Sequence, residues 1–150
     1  MTTRKYVHQI ELAASPEEVF RLLVSPNAIR DWWGASRVIV LAKQNGVWAA
    51  VWGNEDIPDY VALYKISAIE PPRRLFLTER KHFAKSGQPS FDATMTTEFI
   101  VEASPMGAFL RVTQDGFPAD AIADEFYATC ETGWQNTFAS IKDYLAVDRS

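Results

Sequence analysis

Residues Asp120 to Val147 carry one apolar stripe at helical spacing, and that stripe constrains the rest of the chain. At about 100° per residue, Phe126, Cys130, Trp134, Thr137, Phe138, Ile141, Tyr144 and Leu145 fall in a band roughly 120° wide. Asp124, Glu125, Glu131, Gln135, Lys142 and Asp143 occupy the other side. A helix this long with a single stripe must lie across a large apolar surface.

The preceding sequence supplies a sheet. Tyr6, His8, Ile10 and Leu12 alternate with Val7, Gln9 and Glu11, the pattern of a half-buried strand. Ser15-Pro16-Glu17-Glu18 then predicts a helix start, with Ser15 capping the Glu18 N–H and Glu18 reaching back, and with Val19, Phe20 and Leu23 facing inward. Ser25-Pro26 breaks that helix, and a second short one, Asn27 to Trp33, closes at Gly34. Strands follow over Val38–Leu41, Val47–Trp52, Tyr60–Glu70, Leu75–Glu79, Thr94–Val101 and Ala108–Asp115. Turns or loops separate them at Gln44-Asn45-Gly46, Gly53–Asp59, Pro71-Pro72, Lys81–Asp92 and Ser104-Pro105-Met106-Gly107. Gly116-Phe117-Pro118 leads into the long helix. Strands in a run with no helix between them imply an antiparallel sheet in an α+β domain. With no repeat, linker or low-complexity segment, residues 1–150 read as one domain.

Three groups of residues resemble a known family. They are Ala14-Ser15-Pro16-Glu17-Glu18-Val19-Phe20 with Pro26 and Asp31-Trp32-Trp33-Gly34; Ile69-Glu70-Pro71-Pro72-Arg73-Arg74-Leu75; and Gly133-Trp134 with Phe138, Ile141 and Leu145. In this order they resemble the SRPBCC superfamily, also called START-like. The nearest branch is that of the activator of heat-shock protein ninety ATPase homologues. The resemblance implies a helix-grip fold: a curved antiparallel sheet of about seven strands, two short helices and one long C-terminal helix. It also implies a cavity between sheet and helix that takes apolar molecules, or serves cyclase or hydrolase chemistry in some members. Fold alone does not choose among these functions. Family members often carry paired glycines before the third strand; here Gly46 stands alone, which implies a small difference in that hairpin. The co-chaperone proper has a further N-terminal domain for which this chain has no room.

Composition narrows the function classes. The net charge of −4 argues against a nucleic-acid or anionic membrane surface. No stretch approaches the roughly 18 apolar residues of a membrane span, and no signal-peptide core follows Met1. One cysteine precludes an intrachain disulfide and fits a reducing compartment, so a cytoplasmic protein is expected. Two histidines and one cysteine, none locally paired, predict no metal site, and no glycine-rich phosphate cradle or nucleophile elbow suggests a cofactor or a catalytic serine.

Aromatic residues make up 13%, with five tryptophans, and their placement suits either a filled core or the lining of a pocket. The candidate ligand-binding residues are His8, Trp33, Trp48, Trp52, Tyr64, Phe76, Gln114, Phe126, Cys130 and Trp134. His8 is the best polar candidate of the first strand, although a lone inward histidine is more often a satisfied core residue. Gln114 shares a face with Leu110 and Val112; a buried amide needs a partner, which a ligand, a water or a tyrosine hydroxyl would supply. Cys130 sits mid-stripe, where burial makes a thiol inert more often than catalytic. His82 and the acidic Glu55, Asp56 and Asp59 read first as solvated loops. The first and last strands are expected to pair near the middle of the sheet, beneath the helix, and so bring the inward residues to one space.

The expected partner is a small apolar or aromatic molecule bound in the cavity. A cyclase- or hydrolase-type enzyme using the same cavity is the alternative, and no catalytic residue is assigned. A chaperone-interacting protein is a third reading, resting on the family name, and a homodimer stays open.

Overall fold

The computed structural model describes residues 3–54, 56–85, 95–119, 121 and 124–146, and at 82, 118 and 126 the backbone alone. The elements follow in the order β1 (Thr3–Leu12), α1 (Pro16–Val24), α2 (Pro26–Trp33), β2 (Arg37–Val40), β3 (Val47–Gly53), β4 (Pro58–Glu70), β5 (Arg74–Ala84), β6 (Thr96–Ala103), β7 (Ala108–Pro118) and α3 (Asp124–Ala146). Among the described residues, seven strands form one antiparallel sheet in the order β1-β7-β6-β5-β4-β3-β2. The α+β helix-grip architecture is that of the sequence reading.

Local chemistry explains the two short helices. Ser15 accepts from the Glu18 N–H at 3.2 Å and Pro16 occupies the first helical turn. The Glu18 carboxylate meets the Ser15 hydroxyl at 3.2 Å. Removing the cap by Ser15→Ala is expected to cost about 1 kcal/mol, read by urea denaturation. Ser25 repeats the device for α2, accepting from Ala28 at 3.3 Å, and Gly34 ends that helix at φ 71°. The carbonyls at the helix C-termini lack intrahelical donors, and tryptophans supply some of them. Trp32 Nε1 donates to the Leu22 carbonyl at 2.9 Å, Trp48 Nε1 to Leu23 at 2.8 Å, and Trp52 Nε1 to Trp33 at 3.2 Å. The last two pin α1 and α2 to β3.

The core lies between the concave face of the sheet and the helices. It includes Leu12, Leu23, Ile29, Trp48, Ile66, Leu75, Leu77, Phe99, Leu110, Val112, Phe138 and Ile141, all fully buried. The helical stripe holds where it is described: Trp134, Thr137, Phe138 and Ile141 are buried, and Cys130, Tyr144 and Leu145 partly so. The start of α3 is tied to β1 by Arg4–Asp124 at 2.7 Å and by the Tyr127 hydroxyl donating to the Lys5 carbonyl at 3.1 Å.

Three expectations change. β1 pairs with β7, but it is an edge strand and not central. β5 runs on to Ala84, where the sequence suggests a polar loop from Lys81: Lys81 and Ala84 pair with Leu63 and Tyr60 of β4. β7 continues through Gly116, at φ 93°, to Pro118, opposite Thr3. In the β2–β3 hairpin, Asn45 takes φ 67°, and a Cβ at Gly46 would lie 2.0 Å from the Leu41 carbonyl oxygen, so this single glycine is sterically required.

Candidate ligand cavity

A bulge sets the polar chemistry of the site. Between the pairs Leu63↔Lys81 and Lys65↔Thr78, the two residues Glu79 and Arg80 oppose the single Tyr64. Glu79 absorbs the extra residue at φ 52°. Arg80 is thereby turned inward, where it is 5% exposed. Its Nε donates to the Tyr64 hydroxyl at 3.1 Å and its Nη2 to the Tyr60 hydroxyl. Thr97 Oγ1 also donates to the Tyr64 hydroxyl, at 3.2 Å, and Gln114 Nε2 donates to Thr97 Oγ1 at 3.1 Å. A chain of polar groups thus crosses β4, β5, β6 and β7 beneath α3.

Above this chain lies a cavity of about 150 Å³. Trp33, Trp52 and Trp134 form its apolar walls with Ala62, and Tyr60, Tyr64, Arg80 and Gln114 its polar floor. Helix α3 contributes Cys130, Gly133, Trp134 and Thr137. Gly133 is exposed as well as lining, so the cavity reaches the surface beside α3. The rings interlock: Trp33 meets Trp52 edge-on at 4.8 Å and stacks on Trp134 at 5.8 Å, and Trp134 packs against Phe99 at 5.6 Å.

Of the sequence candidates, Trp33, Trp52, Tyr64, Gln114, Cys130 and Trp134 meet at this cavity. His8, Trp48 and Phe76 do not line it, and the expectation is corrected for each. His8 shares the concave face of β1 with buried Tyr6 and Leu12, but β1 is an edge strand; its ring packs on Tyr6 at 6.2 Å and Phe138 at 5.2 Å. Trp48 is 1% exposed and sits deeper, its ring against Trp33 and Tyr64 and its N–H held at the end of α1. Phe76 lies between inward Leu75 and Leu77 and so faces outward, under the Arg74 guanidinium at 5.1 Å. The side chains of Phe126 and His82, and residue Glu55, lie outside the described residues.

The sequence reading missed Arg80, Tyr60, Ala62, Gly133 and Thr137 as lining residues. Tyr60, Ala62 and Tyr64 are signalled by alternation along β4. Arg80 is not, because the bulge reverses the parity of its strand.

Burial pushes the Cys130 thiol from its ordinary 9.0 up to about 11, against the opposing pull of the Arg80 charge. A neutral thiol is a poor nucleophile, so alkylation at pH 8 is expected to be slow in the folded protein and fast after unfolding. The shift also sets a pH dependence. The folded state holds its proton more tightly than the unfolded one, so this contribution is complete below pH 9 and is lost as pH rises towards 11. Urea denaturation should show wild-type stability falling relative to Cys130→Ala over that window, by up to about 2 kcal/mol. A constant difference would refute the assignment.

Comparison with known proteins places this geometry. A search of curated proteins matched none. Among solved structures, protein MLL2253 from Mesorhizobium loti is similar at TM-score 0.76 and 22% identity, over 95% of this chain and 96% of that one. The Aha1 dimer from Colwellia psychrerythraea is similar at TM-score 0.76 and 18% identity, over 98% and 99%. Protein CV1439 from Chromobacterium violaceum gives 0.73 and 20%, over 97% and 99%. These likenesses establish the fold. The family model described as "Activator of Hsp90 ATPase homolog 1-like protein" matches residues 13–146. With nearly the whole sheet and all three helices inside that match, the chain belongs to the Activator of Hsp90 ATPase homolog 1-like family.

Proposed function

We propose that this protein binds a small apolar or aromatic molecule, about one ring in size, in the cavity between the sheet and α3. The observation that carries the reading is a cavity of about 150 Å³ walled by Trp33, Trp52 and Trp134 over a floor of a few polar groups. Apolar walls with a small number of placed polar groups are the usual make-up of a small-molecule site. Size then selects the ligand. Sites for drug-sized ligands run from about 300 Å³ upward, whereas an apolar cavity of about 150 Å³ suits a molecule like benzene. Trp33, Trp52, Tyr64, Gln114, Cys130 and Trp134 are the proposed binding residues. The reading needs no cofactor.

The test is a titration of tryptophan fluorescence with single-ring compounds such as toluene and cyclohexanol, set beside palmitate and a steroid. Saturable changes are expected with the rings and not with the larger molecules. If no single-ring compound gives saturation, the reading fails.

The polar floor favours a second reading, an enzyme of the cyclase or hydrolase type. Among the described lining residues there is no carboxylate and no imidazole, and the Cys130 thiol is held neutral. Proton transfer would fall to Tyr60 or Tyr64, which makes binding the better supported function. A homodimer is also proposed, on the precedent of the dimeric Colwellia protein, and light scattering at several concentrations tests it. A chaperone contact rests on the family name alone. No described helix is long and apolar enough to cross a membrane; a cytoplasmic location is proposed from the single cysteine and the composition.

A further inference from the structure

We propose that the ligand carries a ring hydroxyl, which donates its proton to the Gln114 side-chain carbonyl. This deepens the ligand-binding reading and rests on it. Gln114 is 4% exposed, and its Oε1 is buried with no hydrogen-bond partner among the described residues. Buried side-chain acceptors without a partner are rare in folded proteins, and this one belongs to a residue lining the cavity.

The neighbouring hydrogen bonds say which way the amide faces. A guanidinium only donates, so the Tyr64 oxygen accepts from Arg80 Nε at 3.1 Å. It accepts also from Thr97 Oγ1 at 3.2 Å. The Thr97 proton is thereby used, and Thr97 can only accept from Gln114, which turns the amide nitrogen towards it at 3.1 Å. The carbonyl is left over. Tyr64, with both acceptor positions filled, keeps its own proton to give, and Tyr64 lines the same cavity. The floor therefore asks for a donor at Gln114 and an acceptor at Tyr64. A hydroxyl is both at once. The Trp33, Trp52 and Trp134 walls ask for a flat apolar body. A phenol-type molecule meets all three demands; an ether or a hydrocarbon of the same shape does not.

The experiment compares phenol, anisole and toluene by nuclear magnetic resonance on the labelled protein, following the tryptophan indole N–H groups and the Gln114 side-chain NH2. Phenol is expected to bind at least about tenfold more tightly than anisole or toluene, the usual worth of one buried hydrogen bond. The Gln114→Leu variant, checked for folding by circular dichroism, should lose that preference and bind phenol and toluene within about twofold of each other. Anisole or toluene binding as tightly as phenol to the wild type overturns the hydroxyl assignment and leaves the ligand-binding reading standing. A phenol preference that survives in folded Gln114→Leu overturns the role of Gln114. No saturable shift with any of the three overturns the ligand-binding reading itself. The wild-type series decides even if the variant does not fold.

Discussion

Replacing Trp134 with alanine is expected to destabilise the protein by about 3–5 kcal/mol, the range for truncating a large buried aromatic. Trp134 is 6% exposed and joins three parts of the fold. It stacks on Trp33 of α2, meets Phe99 of β6 edge-on and packs against Phe138 one turn along α3. Trp33 is the other ring at the cavity that joins α2, the sheet and α3, through Trp32, Trp48, Trp52 and Trp134 itself, so truncating Trp134 breaks the cluster from the α3 side. Its loss would also merge the vacated space with the cavity, leaving the surrounding rings little to collapse onto. For a domain of this size the melting temperature should fall by roughly 10 °C. Trp134→Phe, which keeps a ring, should cost much less. A loss below about 1 kcal/mol for the alanine variant would mean that the helix docks through Phe138 and Ile141 alone.

The docking of α3 was legible because one physical constraint dominates there. A helix buried on one side must repeat its apolar residues at 3.6, and nothing else in this chain produces Trp134, Phe138 and Ile141 in register. The helix start at Ser15 was legible for a comparable reason, since a hydroxyl before proline has few competing roles; Ser25-Pro26 reads as the break before Asn27, and the structure makes Ser25 the cap of α2 itself. The site was only partly so. Strand parity is read from alternation, and one extra residue reverses it. In Leu75-Phe76-Leu77 the run is apolar throughout, so alternation is silent and Phe76 takes the wrong face. At Glu79 and Arg80 the bulge swaps the faces, so Arg80 goes inward in place of Glu79 and forms part of the floor of the cavity. His8 shows a different limit. Its face follows from alternation, but its distance from the cavity follows from strand order, and an edge position for β1 leaves no mark on the residues of β1.

Gly133 offers the sharpest test of whether the cavity is there for a ligand. It lies in the interior of α3, where glycine costs about 1 kcal/mol relative to alanine. No crowding by the described residues requires it: a Cβ at this position would meet none of their atoms within 4 Å. Gly133→Ala is therefore expected to stabilise the protein by about 0.5–1 kcal/mol. The glycine is costly for the fold and leaves open space at the rim of the cavity. Gly133→Leu should be as stable as the alanine variant within about 0.5 kcal/mol, since leucine is a good helix former. Its side chain would lean towards the helix N-terminus, over Cys130, which lines the same opening. A bound ring buries on the order of 150 Å², which is about 4 kcal/mol at ~25 cal/mol per Å². A leucine side chain occupying that space should displace the ring and remove most of that, a loss of several hundredfold in affinity for toluene or phenol. Titration of the three proteins side by side measures it, with urea denaturation as the check on folding. A folded Gly133→Leu protein that binds as the wild type does would place the ligand away from α3.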